Sequence, residues 1–490
     1  MILPNPNRLQ WVRMKLDAAH LALGLLALVI LSVIIRVPFL SQPIGPDEGS
    51  YAYVAQNWTG TYQLYRDIPF NRTPAVFLIY KVVLALIGTD VSSIRLGGAI
   101  YNVASLIALF YLTQSMFSRR AAWISTLAYA VASAAPHVEG FTANGEMFMT
   151  LPLILSAYWT WKEQWGWAGW AAGMAFVVKP SGLAGLMVAL AWLVVVRASW
   201  RDVLRVLIGF SVGPLAVAAY GYAIGWHYFW TYFVKQSMLT NSFLNRAFPY
   251  QVGSLAALGI RTASAWMILG VLAAVALLQW PGRSRSFGLL WIISAGVGIW
   301  MGGGPWRHYF FQMVPPLALL SGPGLLALPR VPRRWFWKAM LVLGFVTFII
   351  WELPVWFLAP QEASWKIYKS PPLQLAPQVA AYVASRTSEN DTIYVAFTQA
   401  QIYYLAQRRA QPVQMFWYEV NHSAKIFAQI EQAIRRREPA VIIWVQPPPV
   451  QRATFEAFEQ LVQQGYVESR RFGSGDPRLD GIIVYHRKTD

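Results

Sequence analysis

The chain has 490 residues, of which 56% are hydrophobic, only 13% are charged and 24 are Trp, which excludes an ordinary water-soluble protein and predicts a polytopic membrane protein. Its formal net charge of +18 does not mark a nucleic-acid binder, because Lys and Arg punctuate apolar segments and do not gather on one basic face. Cysteine is absent, so a disulfide framework, a Cys-ligated zinc site and a thiol nucleophile are all excluded.

Taken in chain order, residues 1–20 carry Arg8, Arg13 and Lys15, and no small-residue cleavage site follows the next apolar run. This predicts a cytoplasmic tail and not a cleaved signal peptide. The segment 21–40 has the length of a span running outward. At its mouth comes Gly45-Pro46-Asp47-Glu48-Gly49-Ser50-Tyr51, a carboxylate pair that opens a short amphipathic run to Gln56. The pair lies in a polar-aromatic loop, 41–93, whose apolar piece 73–87 is short, carries Lys81 and is flanked by Pro74 and Gly88. It is therefore expected to lie in the interface, giving the loop two interfacial helices.

The positive-inside bias supports that choice, since 94–117 then runs inward and leaves Ser118-Arg119-Arg120 in the cytoplasm. Further spans are expected at 121–136, 145–161, 166–178, 182–196, 203–224, 252–280, 287–301, 309–328 and 339–358, about eleven in all. They place Lys162, Arg197, Arg201, Arg205, Arg283, Arg285, Arg330, Arg333, Arg334 and Lys338 on the cytoplasmic face. The opposite face receives Asp47, Glu48, Arg66, Asp67, Arg72, His137, Glu139, Glu146, Lys179, His227, Lys235, Arg246, Arg307 and His308. Ionisable residues at membrane depth are costly and usually functional, so this mixture predicts a polar binding or reaction cavity on the extracytoplasmic side.

Beyond residue 358 the pattern changes. Helical periodicity at 378–386, 425–437 and 454–463 alternates with β-rich runs at 392–397, 413–417, 441–445 and 482–485, which predicts a soluble α/β domain over 359–490. With an odd number of spans it lies outside. It has no GxGxxG and no GKS or GKT loop, so nucleotide binding is not expected. Asp476 and Asp480 fall in a Gly-Pro turn region and are assigned to loop geometry. Asn57-Trp58-Thr59, Asn71-Arg72-Thr73 and Asn421-His422-Ser423 fit the glycosylation sequon, which matters only in a host that reads it. No internal repeat is visible. The Trp-rich stretches 159–170 and 335–337 are expected to anchor the membrane interface.

Several elements, in order, are similar to those of the dolichyl-phosphate-mannose protein mannosyltransferase superfamily, the polytopic GT-C glycosyltransferases that include glycosyltransferase family 39 and the bacterial aminoarabinose transferases. They are Asp47-Glu48 closing the first span, Tyr65-Arg66-Asp67, and Arg72-Thr73-Pro74 where the family usually has Lys-Pro-Pro. After them come Arg95, Ser118-Arg119-Arg120-Ala121, Asn144-Gly145-Glu146, Lys179-Pro180, and Arg307-His308-Tyr309 leading to Pro315-Pro316. The likeness covers roughly the first 330 residues and implies a transmembrane GT-C domain over 21–358 in a cytoplasmic (inner) membrane. It also implies transfer of a hexosyl or pentosyl group, with inversion, from a polyprenyl-phosphate carrier to a protein, lipid or glycan acceptor at the outer face.

Under that likeness Asp47 takes the acceptor proton, Glu48 orients a backbone amide or basic residue beside it, and Glu146 is the second acid of the catalytic set. Arg66, Arg72, Lys179, Arg307, His308 and Tyr309 are the substrate-binding set, the cations meeting the lipid phosphate. Plainer readings stand beside these roles. Asp47 after Pro46 suits a helix N-cap, Glu146 suits a helix start, with Glu139 as a competing acid, and Lys179 can snorkel. Arg307 and His308 can belong to an aromatic interface belt. No cluster has metal-ligand spacing, and a divalent cation between Asp47 and Glu146 is the one metal arrangement left open. A catalytically silent scaffold or complex subunit would keep the helices but not need the Asp47-Glu48 pair. A transporter or flippase of lipid-linked sugars would more often show repeats or broken helices.

Overall fold

The computed structural model of the chain describes residues 6–239, 246–302, 304, 306–411, 424–445, 452–473 and 481–488. The expected strand at 413–417, the Asn421 sequon, Asp476 and Asp480 lie outside them. The chain is an integral membrane protein of mostly apolar helices with a small sheet near its C-terminus.

Helix α1 (Pro6–Ile34) is followed by the short helices α2 (Pro46–Asn57) and α3 (Pro74–Leu86), and then by the long α4 (Val91–Met116). Next come α5 (Arg119–Ala132), α6 (Gly145–Trp161), α7 (Trp165–Val178), α8 (Leu183–Val195) and α9 (Trp200–Ile224). After α10 (Trp226–Phe229) and a π-helical stretch, Trp230–Leu239, the chain builds α11 (Phe248–Arg261), α12 (Ala263–Gln279), α13 (Arg283–Met301), α14 (Val314–Ala327) and α15 (Arg334–Trp351). Among the described residues six helices are long and apolar enough to cross a membrane, or seven if α11 and α12 count as one bent span. The expected number near eleven also counts α5 to α8, which have 13 to 17 residues.

One expected span is not continuous. The segment 252–280 breaks between α11 and α12 with a bend of 93°. At the break the Thr262 hydroxyl donates to the Leu258 carbonyl at 2.9 Å and accepts the Trp266 indole N–H at 3.2 Å, which ties the two helices together across it.

Small residues let the helices approach closely. Gly169 and Gly173 of α7 lie against the Val206 and Phe210 carbonyls of α9, and Gly209 returns the contact against Gly166. Without a hydrophobic drive between helices in lipid, this backbone proximity supplies the packing.

The C-terminal region adds α16 (Pro360–Tyr368), α17 (Pro371–Arg386), β1 (Thr392–Ala396), α18 (Gln401–Ala406) and β2 (Arg409–Ala410). It ends with α19 (Ala424–Arg435), β3 (Val441–Val445), α20 (Arg452–Gly465), β4 (Tyr466–Phe472) and β5 (Ile482–Arg487). The sheet order is β2-β1-β3-β5-β4, with β1 parallel to β2 and β3, and β5 antiparallel to β3 and β4. Central β3 is buried at every position, as a strand covered on both faces should be. One face of this sheet, with α17 and α18, shares a single apolar core with α2 and α3: Val379, Val395 and Tyr403 belong to the same cluster as Tyr51, Tyr53 and Phe77.

Candidate active site

Helix α2 begins as its sequence directs. Gly45 is the N-cap, Pro46 follows at the first turn with its φ already set, and Asp47 and Glu48 occupy the positive end of the helix. The capping task falls to Glu48 and not to Asp47, because the Glu48 carboxylate turns back to accept the Gly45 N–H at 3.2 Å. Glu48 also accepts two donors from Arg95, Nε at 3.2 Å and a terminal nitrogen at 2.9 Å, and the Ala143 N–H at 2.9 Å. Both members of the pair are 1% exposed. The other Arg95 donors go to the carbonyls of Phe39, Gln42 and Pro43. Each Glu48 oxygen thus has two donors, and its place is to join α2, α4 and the segment before α6.

Asp47 leaves the helix in a different direction. Among the described residues its carboxylate makes no hydrogen bond or ion pair, and it is partly exposed. One turn on, Tyr51 is buried, and the Arg72 guanidinium acts electrostatically on its phenol. Burial, reinforced by Asp47, pushes the Tyr51 phenol well above its ordinary value, so it stays a neutral hydroxyl.

Arg72 comes from the segment leading into α3, where its guanidinium also donates to the Asn71 side chain at 2.6 Å. The next residue, Thr73, donates its hydroxyl to the Val178 carbonyl at 2.8 Å. That bond ties the start of α3 to the end of α7, where Lys179 follows. Lys179 pairs with Glu146, which is 2% exposed at the first turn of α6, and its ammonium lies 4.0 Å from the centre of the Tyr309 ring. Burial holds the Lys179 ammonium below its ordinary value, against the opposing pull of Glu146. Asp47 and Arg72 act electrostatically on both Lys179 and Tyr309, so these groups lie within reach of one another's charge.

A second tier adjoins these groups. His308 lies 3.3 Å from the Glu139 carboxylate and feels the charges of Glu146 and Lys179. Glu139 has left-handed backbone, φ 54°, unusual outside glycine. The segment bearing it is braced from two sides. Arg36 donates to the Ser133 carbonyl at 2.5 Å, and fully buried Glu352 accepts the His137 backbone N–H at 3.2 Å and the Ser264 hydroxyl at 2.5 Å.

The structure therefore brings together Asp47, Arg72, Glu146, Lys179, His308 and Tyr309 of the sequence-predicted set. It does not bring in Arg66, which is 41% exposed and pairs with its neighbour Asp67 at 2.9 Å. For Asp67, burial raises the carboxyl, but hydrogen bonds from Arg66 and the Gln63 N–H outweigh it and hold the group below its ordinary value. Arg307 points to the C-terminal region, donating to the Ile367 carbonyl of α16 at 2.9 Å. Tyr51 carried no predicted role, although its spacing of four from Asp47 was the available signal. Among the described residues no group of three His, Asp or Glu side chains is placed to hold a metal ion, and with Glu146 engaged by Lys179 the Asp47 and Glu146 pair does not fit a divalent cation.

Residues 71–226, which carry Arg72, Glu139, Glu146 and Lys179, match the family model described as dolichyl-phosphate-mannose-protein mannosyltransferase. No curated protein matches the chain. Among solved structures, ArnT from Cupriavidus metallidurans bound to undecaprenyl phosphate matches with a TM-score of 0.61 at 14% identity, covering 94% of this chain and 97% of that one. The same protein in its apo state gives 0.65 at 15% identity, covering 96% and 98%. The apo Archaeoglobus fulgidus oligosaccharyltransferase gives 0.53 at 12% identity, covering 94% of this chain and 76% of that one.

Proposed function

We propose that this chain, which has the GT-C fold, is a GT-C glycosyltransferase that transfers a hexosyl or pentosyl group from a polyprenyl-phosphate donor to a hydroxyl or phosphate of a protein, lipid or glycan acceptor. The observation that carries the reading is the placement of Asp47, a carboxylate with no partner among the described residues, within electrostatic reach of Lys179, on which Arg72 acts as well.

The reaction is a single displacement. An acceptor oxygen bonds to the anomeric carbon from the face opposite the phosphate, its proton passes to the Asp47 carboxylate, and the electron pair of the breaking carbon–oxygen bond goes to the phosphate. Arg72 offers forked donors to that phosphate and Lys179 a compact charge, held in place by Glu146 and the Tyr309 ring. Preorganised charge of this kind needs no rearrangement as the leaving group develops its own. Next to Thr73 an apolar cavity of about 170 Å³ is lined by Phe176, Val177, Pro214, Val217, Phe229 and Phe233, which suits the first isoprenoid units of a lipid whose head is at Arg72. Support for a prenyl carrier also comes from ArnT, solved with undecaprenyl phosphate.

The test uses the purified full chain in lipid nanodiscs with polyprenyl-phosphate sugars. Arg72→Ala and Lys179→Ala should each weaken binding of polyprenyl phosphate by on the order of tenfold or more, as expected for a lost charge-assisted contact. Unaltered binding in both variants would remove the phosphate from these two cations and with it the proposed chemistry.

A further inference from the structure

Helix α2 hands its side chains to three partners with helical periodicity. Asp47 and Tyr51, four apart, share one face, and Glu48 is turned to Arg95. Gly49, Tyr53 and Gln56 form a third face, and each of them meets the C-terminal region. A β-carbon placed on Gly49 would fall 2.5 Å from the Cα of Gln401 and closer still to its Cβ. The Tyr53 hydroxyl accepts the Ala410 N–H at 2.8 Å, and its ring lies 5.6 Å from that of Tyr403. The Gln56 amide donates to the Gln407 side chain at 2.8 Å.

The opposing surface is α18, which Gln401 opens, fully buried. Its flanks are conformationally fixed: Phe397, Gln399 and Gln407 all have left-handed backbone, with φ of 76°, 70° and 51°. A second anchor lies nearby, where the Tyr404 hydroxyl donates to the Thr89 carbonyl ahead of α4. The contact at Gly49 is therefore backbone against backbone, between two elements that are each held from behind. Such a contact sets distance and rotation in a way that flexible side chains do not.

We propose that α18 of the C-terminal domain is a positioning element for Asp47: by closing on Gly49, Tyr53 and Gln56 it fixes the depth and rotation of α2, and with them the Asp47 carboxylate. The proposal rests on the reading of Asp47 as the base. The leverage is short, since Asp47 is two residues from Gly49 on the opposite side of the same turn. A displacement near 1 Å at a reacting group can lower a rate by roughly a hundredfold.

The experiment compares Gly49→Ala and Tyr53→Phe with the wild type as full chains in nanodiscs, reading turnover per folded molecule, the KM for the lipid donor, and hydrogen–deuterium exchange of residues 46–57. Gly49→Ala should lower kcat by on the order of tenfold or more, with the donor KM within about twofold and faster exchange confined to α2. Tyr53→Phe keeps the Gly49 contact but orphans the Ala410 N–H, so it should move the same quantities less and in the same direction. It serves as the working variant if Gly49→Ala does not fold. A lower melting temperature with unchanged kcat in the folded fraction would make the seam merely structural and overturn the proposal. Loss of the base reading itself is distinguishable: Asp47→Asn would then keep its turnover, whereas the exchange in Gly49→Ala reports on the seam without reference to chemistry.

Discussion

Two adjacent carboxylates have opposite fates because successive helical residues point about 100° apart. Glu48 faces inward and each of its oxygens has two donors, whereas Asp47 is partly exposed and no described residue pairs with it. The sequence pointed to Asp47, Glu146, Lys179 and His308, since each stands at a helix end that topology sends to one side. It could not exclude Arg66 or redirect Arg307, because those outcomes depend on loop paths, one pairing with an adjacent Asp67 and the other reaching a carbonyl 60 residues away. Burial lowers the Lys179 pKa, so the ammonium is lost at a lower pH than an exposed lysine would lose it, and donor binding should weaken on the alkaline side before the ordinary lysine range is reached. Lys179→Arg, which keeps its charge, should move that alkaline limb upward in a titration of polyprenyl-phosphate binding. A limb unmoved by the substitution would show that another group sets it.

At the scale of elements, the periodic segments were legible and the breaks were not. Helices over 94–117 and 203–224 follow from long apolar runs, and the structure has α4 and α9 close to those bounds. The bend at Thr262 falls inside one apolar run, so hydropathy does not register it. The short α3, 13 residues and about 20 Å long, was read from its flanking Pro74 and Gly88. What sequence could not supply is the Glu48–Arg95 pair, 47 residues apart, which knots α2 to α4 and, through the Ala143 N–H, to the approach to α6. Removing one member strands the other as a buried charge. Glu48→Gln should therefore destabilise the protein by about 3–5 kcal/mol, visible as a lower melting temperature in detergent, and a change below about 1 kcal/mol would contradict this assignment.

For the whole molecule, the helical bundle and the C-terminal sheet were both legible from composition, but their union was not. Tyr53, Tyr403, Val395 and Phe77 belong to one apolar core, so the C-terminal region rests on the helices that carry the site. We further propose that this end of the bundle is extracytoplasmic in the cytoplasmic membrane, on the charge asymmetry of the loops. The absence of cysteine makes the test direct, because single cysteines can be introduced without background. In intact cells a membrane-impermeant thiol reagent should label Cys placed at Arg66 or Glu389, both exposed, and should not reach Cys at Lys162 or Arg285 until the membrane is opened. The reverse pattern would invert the topology.

The proposed displacement depends on Asp47, and its most direct measurement is release of free polyprenyl phosphate from a lipid-linked sugar donor in the presence of acceptor, by purified wild-type protein and by Asp47→Asn. The wild type should turn over. The variant should lose at least about a hundredfold in rate, the range expected for a general base, while it keeps the wild-type melting temperature and donor affinity. Undiminished turnover by a folded Asp47→Asn protein would contradict the mechanism.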